Sequence, residues 1–169
     1  MDKVWVQRVS RVDAQELIKF NQENRNYHRP WVFPFLDMVG FDSWYARSLT
    51  AATVSFVARE ITSREIVGVI NINDIVMGSL QSGYLGYYGS YMYSGRGLMT
   101  DALRLVVQYA FVELGLHRLE ANIQPQNAAS IAVVRRVGFV KEGFSPRYLF
   151  IDDAWRDHER WATVADRQG

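Results

Sequence analysis

Apolar and polar positions follow two distinct periods along this chain, and the switches between them mark out its elements. Val4, Trp5, Val6 and Val9 make a short apolar run rich in strand formers, which predicts a first strand. Asp13-Ala14-Gln15-Glu16 has the spacing of a capping box, so a helix is expected to start there, with Leu17, Ile18 and Phe20 on its apolar side, and to end near Asn24. Residues 24–35 read as a loop dense in aromatics, prolines and hydrogen-bonding groups. That composition suits either a wall facing a substrate or a packed connector whose rings plug the core. Asp42 is expected to cap a second helix carrying Trp44, Tyr45, Ser48 and Leu49. Thr53 to Glu60 alternates with period two, and the alternation resumes from Ile66 to Val76 after a polar turn at Thr62-Ser63-Arg64, which predicts an antiparallel hairpin.

Tyr84 to Tyr93 is the next expected strand, rich in tyrosine and interrupted by Gly86 and Gly89. Glycine inside a strand pattern marks a bulge or a close approach of backbone or ligand. Leu98, Ala102, Leu105, Val106, Tyr109 and Ala110 recur at spacings of three and four, the stripe of a helix that packs on a sheet, and Gly115 stops it. His117 to Ile123 alternates again. Pro125-Gln126-Asn127 turns into a helix that buries Ile131, Val134 and Val137 and closes on Gly138. Phe139 to Phe144 and Tyr148 to Ile151 read as two strands, and Ala154 to Val164 as a last strand returning across Asp152-Asp153. No linker, repeat or low-complexity tract interrupts residues 1–169, so one α+β domain is expected.

Composition narrows the class. In 169 residues, 49% hydrophobic and 14% aromatic content is enough for one sizeable core. Nineteen Lys and Arg against eighteen Asp and Glu leave a formal charge of +1, so neither nucleic acid nor a membrane surface is an expected partner. The absence of cysteine excludes disulfides and thiol nucleophiles and removes most structural zinc sites, so no metal is expected. There is no long apolar segment and no signal-like start, which leads to the expectation of a cytoplasmic protein.

The stretch from Ser94 to Leu103 is the first candidate for chemistry, because a glycine pair runs directly into the most regular helical pattern. A glycine turn opening a helix gathers unpaired N–H groups at the positive end of the helix dipole, where phosphate oxygens bind. The alternative is a tight strand-to-helix connection that binds nothing. A dinucleotide fold also places a glycine loop between strand and helix, but Thr100 stands where its third glycine belongs, and the preceding hairpins imply a mostly antiparallel sheet.

Several further segments occur in a telling order. They are Asn24-Arg25 with Pro30-Trp31, Gly86-Tyr87, Gly95-Arg96-Gly97-Leu98-Met99, Leu116 to Ala121, Asn127-Ala128-Ala129-Ser130, Val137-Gly138-Phe139, and Trp155-Arg156-Asp157-His158. Together they cover most of the chain, and it resembles the GNAT superfamily of N-acetyltransferases, in particular its RimJ/RimL branch. The resemblance implies a GNAT fold: a mixed, mostly antiparallel sheet of about seven strands, splayed between the fourth and fifth, with about four helices. It also implies acetyl-CoA as donor, CoA as product, and a primary amine as acceptor. In that branch the acceptor is the N-terminus of a ribosomal or other protein, and a homodimer stays open. Two alternatives remain. One is an acetyltransferase for a small amine such as an antibiotic, polyamine or amino acid, and the other is a non-catalytic acyl-CoA-binding module.

The resemblance also assigns residues. Ser94, Gly95, Arg96, Gly97, Leu98, Met99 and Thr100 fall on the loop that cradles the pyrophosphate. The chain departs from the superfamily pattern Gln/Arg-x-x-Gly-x-Gly/Ala there, with Ser94 in place of the long polar residue and Met99 in place of the small one, and only Gly97 retained. The backbone of Tyr87, Tyr88 and Gly89 is expected to pair with the pantetheine arm, and an N–H near Tyr88 or Gly89 to stabilise the oxyanion. Asn127 and Ser130 lie three apart at a helix start and so share a face. Ser130 is the expected general acid and Asn127 a cofactor ligand, against the plainer roles of small surface residue and helix cap. Glu120 is the first candidate for general base, although Arg118 or Arg135 could hold it in a salt bridge; Asp74, Asp157, His158 and His28 stand behind it. A dedicated base is not obligatory, because a free α-amine titrates at about 7.7–8.0. Asn24, His28, Trp31 and Phe33 are expected to face the amine substrate.

Overall fold

The computed structural model describes residues 3–166. Its strands are β1 (Val4–Arg8), β2 (Val54–Glu60), β3 (Ile66–Val76), β4 (Ser82–Gly89), β5 (Arg118–Ile123), β6 (Val140–Ile151) and β7 (Ala154–Val164), joined in one sheet in the order β1-β2-β3-β4-β5-β7-β6. Its helices are α1 (Ala14–Glu23), α2 (Arg25–His28), α3 (Met38–Ser48), α4 (Leu98–Val112) and α5 (Ala128–Val137). Neighbouring strands run antiparallel except β4 and β5, which are parallel.

Helices cover both faces of the sheet, and β2 shows why. Val54, Phe56 and Ala58 enter one apolar cluster with Leu98, Ala102, Leu103 and Val106 of α4, whereas Val57 enters a second with Leu17 and Ile18 of α1 and Phe41 of α3. Period-two alternation here sorts residues between two cores, not between core and water.

The capping signals lie three to five residues from where the sequence suggests. Asp13 sits in a single 3-10 turn, Arg11–Asp13, where its Oδ2 accepts from the Ser10 N–H at 2.8 Å. Its Oδ1 and the carboxylate of Glu16 are occupied by Arg59, at 3.2 Å and 2.7 Å. A guanidinium only 9% exposed needs carboxylate partners, and that demand outweighs a helix cap. For α3 the cap is Asp37, which accepts from the Gly40 N–H at 2.8 Å; Asp42 lies inside the helix and pairs with Arg11. The loop 24–35 contains the one-turn helix α2. β4 ends at Gly89, and a 3-10 turn, Tyr91–Tyr93, follows it. The two strands expected after Phe139 are one strand, β6, whose register on β7 slips between Ser145 and Leu149, around Arg147 at φ 47°. Asp152 and Asp153, at φ 53° and 56°, form the tight turn into β7 with the handedness such hairpins favour.

The feature that positions the site is a short pairing. β4 and β5 are bonded only at Ser82–Arg118, Gly83–Leu119 and Tyr84–Glu120. Beyond Tyr84, β4 stays with β3 as far as Gly89, and beyond Glu120, β5 stays with β7 as far as Ile123. The sheet therefore splays between its fourth and fifth strands.

Candidate active site

A cavity of about 370 Å3 occupies the splay. Consecutive residues line it on both sides, Tyr84, Leu85, Gly86 and Tyr87 from β4, then Ala121, Asn122, Ile123 and Gln124 from β5 and its end. Side chains of a strand alternate between faces, so a pocket on one face would touch every second residue. Contact with each in turn means that this cavity passes between the strand ends. A second cavity, of about 520 Å3, lies between the end of β4, the loop into α4 and the outer side of α5. Trp31, Val32, Tyr87, Asn127 and Ser130 line both.

Backbone dominates the far end of the second cavity. Gly95 and Gly97 adopt φ of 72° and 78°, and the space a Cβ would enter is open at both. Gly97 is the N-cap of α4, no side chain caps that end, and the first helical bond runs from the Asp101 N–H to the Gly97 carbonyl. The N–H groups of Leu98, Met99 and Thr100 are thus left without helical acceptors at the positive end of a 15-residue helix. Ser94, Gly95, Gly97, Leu98, Met99 and Thr100 line this cavity, while Arg96 turns onto the Tyr93 ring at 5.0 Å. Met99 has a clear structural reason. Its thioether lies where a Cβ on Gly68 would stand, a Cβ on Gly89 would come within 3.2 Å of its Cγ, and a Cβ on Gly68 would also come within 2.6 Å of the Tyr88 carbonyl. Two glycines on neighbouring strands make room for the large residue that the loop pattern replaces with a small one.

The same cavity includes residues that pattern reading missed: Ala129, Ala132, Val133 and Arg136 of α5. Their signal was available as a second stripe at i, i+3, i+4 and i+7, beside the buried stripe of Ile131, Val134 and Val137. Orphan amides at one end and a passage to the splayed strands at the other fit an elongated ligand whose charge is phosphate and whose reactive end is slender. The residues present therefore suit an acyl-CoA.

Where the cavities meet, α5 and β4 bring two hydroxyls together. The Tyr87 hydroxyl lies 2.6 Å from Ser130 Oγ and donates to the Ser130 carbonyl at 3.0 Å. Burial pushes the Tyr87 phenol up to about 12, against a smaller opposing effect of the Ser130 hydrogen bond, so the phenol keeps its proton at neutral pH. Asn127 caps α5, its Oδ1 accepting from the Ser130 N–H at 3.3 Å. Its Nδ2 has no partner among the described residues and is free to donate to a ligand.

The residues expected to face the substrate divide. Trp31 lines both cavities. Asn24 is buried and bolts α1 to the turn after β4, its Oδ1 accepting from the Tyr91 N–H at 2.9 Å and its Nδ2 donating to the Phe20 carbonyl. His28 lines the second cavity, not the first. A carbonyl can only accept, so the 2.8 Å contact between His28 Nε2 and the Gly89 oxygen makes Nε2 the protonated nitrogen, and buried Nδ1 has no partner. Desolvation holds this imidazole below its ordinary pKa, outweighing the opposing effect of the Gly89 bond. Phe33 lines neither cavity and stacks under Arg29 at 5.2 Å. Tyr88 lends backbone to the second cavity while its ring packs with Phe20 and His28; burial raises its phenol pKa strongly.

Glu120 also lines neither cavity. It accepts from Arg118 Nε at 3.0 Å and Nη2 at 2.9 Å, in a cluster that Glu142 completes, because two carboxylates flank one guanidinium on that face. Asp74 and His158, by contrast, stand in the gap cavity.

Comparison with known proteins agrees with this arrangement. Residues 3–140 match the family model described as Acetyltransferase (GNAT) domain. A relative from Escherichia coli (strain K12), "[Ribosomal protein uS5]-alanine N-acetyltransferase", is 34% identical over 93% of this chain and 85% of its own. Among solved structures, the ribosomal-protein-S5-alanine acetyltransferase from Vibrio fischeri superposes with a TM-score of 0.87 at 27% identity, over 100% of this chain and 97% of the other. Mycobacterium smegmatis RimJ in complex with CoA-disulfide superposes with a TM-score of 0.86 at 30% identity, over 96% and 82%. A splayed mixed sheet with a glycine loop at its mouth defines an acyltransferase fold. The chain belongs to the GNAT acetyltransferase family, in its RimJ/RimL-like branch, and is an N-acyltransferase.

Proposed function

We propose that the protein transfers an acetyl group from acetyl-CoA to the N-terminal amine of a protein or peptide. One observation carries the reading: two cavities of different character, one framed by orphan backbone amides and one by strand-borne side chains, meet at Ser130 and Tyr87. Acetyl-CoA, the donor used by the family, supplies an activated thioester when bound. The residues of the loop and of the start of α4 hold the phosphates, and Asn127 Nδ2 steadies the slender arm.

Ser130 Oγ–H gives its proton to the departing sulfur. Tyr87 has one phenolic proton and two acceptors on the same residue, and it swings from the Ser130 carbonyl to Oγ as the serine loses its own. The Tyr88 N–H lies on the β3 side of the strand, whereas the Gly89 N–H points away from β3 and would face the carbonyl oxygen that gains charge.

For the acceptor, the gap cavity favours a peptide N-terminus over a polyamine. Asp74 is the one carboxylate among its lining residues, set among Trp31, Tyr84, Tyr148 and neutral amides. A single charge suits a single ammonium with an extended, uncharged chain behind it, whereas a polycation calls for several carboxylates. Partnership with a ribosomal protein rests on the printed names of the relatives. The test is thiol release with alanine-initiated hexapeptides compared with spermidine and single amino acids. Peptides should show kcat/KM at least about tenfold above the small amines, the size of a lost subsite contact; a preference for spermidine rejects the proposed acceptor.

A further inference from the structure

Removing a proton from the acceptor is the one task that Ser130 and Tyr87 do not perform, and Glu120 is turned away from it. We infer that His158 takes the proton of the acceptor ammonium, which makes it the general base in the gap cavity. The inference rests on the acetyltransferase reading above.

His158 belongs to β7, is 2% exposed, and lines the gap cavity together with Ser130. Its Nδ1 lies 2.9 Å from the Arg156 carbonyl oxygen. A carbonyl has no proton to give, so Nδ1 carries the hydrogen and Nε2 is left with its lone pair. Among the described residues Nε2 has no hydrogen-bond partner, and it is not among the buried unpaired atoms, so the cavity is where it is reached. The edge of Tyr148 fixes the ring from β6, at 6.0 Å and 64°.

The charged and titratable groups around it are few. Asp157 lies beside it on β7 and Tyr148 on β6, and Asp74 of β3 and Tyr84 of β4 share the cavity wall. Desolvation lowers the imidazole pKa more than the Arg156 carbonyl and Asp157 raise it, so His158 is neutral at pH 7. Asp74 gives the incoming ammonium a counter-charge. His158 presents an unprotonated nitrogen to the cavity, which can accept the ammonium proton directly or through one water.

The balance is complete with these groups. One ammonium N–H bond breaks and its proton passes to Nε2, over a hydrogen bond or one water, and then to solvent. The freed lone pair forms the N–C bond to the acetyl carbon as the C–S bond breaks. A second proton leaves the nitrogen, the thiol gains one by way of Ser130, and one proton is released per turnover.

The pH dependence of kcat/KM, measured on an alanine-initiated hexapeptide with wild type and His158→Gln, separates this role from a packing role. Without the base the enzyme must wait for peptide that is already neutral. The variant should therefore lose about tenfold at pH 7, where roughly a tenth of the peptide is neutral, and less than about twofold at pH 9. A loss of equal size at both pH values overturns the inference, and so does no loss at pH 7. Melting curves check that the variant folds; if it does not, 15N NMR of the wild-type histidine rings decides. For His158 the expected spectrum has Nδ1 protonated and Nε2 bare at pH 7.5, and a protonated Nε2 on that ring overturns the assignment. Should wild type turn over spermidine and not the peptide, the proposed acceptor fails alone, and the histidine-ring spectrum still reads out His158.

Discussion

The two cavities that meet at Ser130 are built from different materials. The donor end is mostly backbone: the loop from Ser94 to Thr100 apart from Arg96, two glycines in left-handed conformation, and the first turn of α4. The acceptor end is mostly side chains, contributed by strands β3, β4, β5, β6 and β7 and by the segment after α2. A phosphate cradle made of amides tolerates many side chains, which explains how Ser94 and Met99 can replace the family's residues there. An acceptor site made of side chains can change its ligand by one substitution. Donor recognition is thus expected to be robust and acceptor recognition malleable.

The sharpest way to test that contrast is at the joint. Ser130→Ala should lower kcat by about 10² to 10³, the range of a lost acid–base group, and leave CoA affinity by calorimetry within about threefold. Tyr87→Phe should cost less, about tenfold, because the serine proton remains. On the donor side, Gly97→Val forces a β-branched residue to φ 78°. The strain of about 1–2 kcal/mol should weaken CoA binding about tenfold with a smaller change in kcat.

A smaller effect tests how the two ends are tied together. His28 and His158 both have pKa values lowered by burial below the ordinary 6.5. The unfolded chain takes up these protons as pH drops below about 6.5 while the native state still refuses them, so stability is full above that pH and falls as pH descends toward the lowered values. Melting temperatures from pH 8 to pH 5 should show this acid-side loss. His28→Gln, which retains an N–H donor toward the Gly89 carbonyl, should reduce it. The smallest effect belongs to Glu120→Gln. Its carboxylate is held by Arg118 outside both cavities, so a change in kcat/KM below about threefold is expected, and a loss of about 10² would return it to the position of base.

Legibility in the sequence follows the same division. The loop and α4 were readable because glycine conformation and helix period are local properties. The same holds for α5 between Asn127 and Gly138, whose caps fall where the sequence suggests. Capping at Asp13 and Asp42 was misplaced because distant arginines, Arg59 and Arg11, claim those carboxylates. Period-two alternation put Glu120 on the polar side of β5, but only the register with β4 and β7 shows that the gap opens one residue past it. Asn24 and His28 looked like substrate contacts because polar residues among aromatics suggest a binding wall. Their hydrogen bonds run instead to the backbone around the end of β4, 67 and 61 residues away in sequence respectively, which no local signal encodes.

Trp31, Val32, Tyr87, Asn127 and Ser130 belong to both cavities, and this shared wall has a thermodynamic corollary. A molecule seated on one side becomes part of the surface that the other molecule meets. By linkage, whatever factor CoA contributes to the affinity for an acceptor, the acceptor must return to CoA in equal measure. A mutation confined to the peptide side can then register as a change in nucleotide affinity without touching a single phosphate.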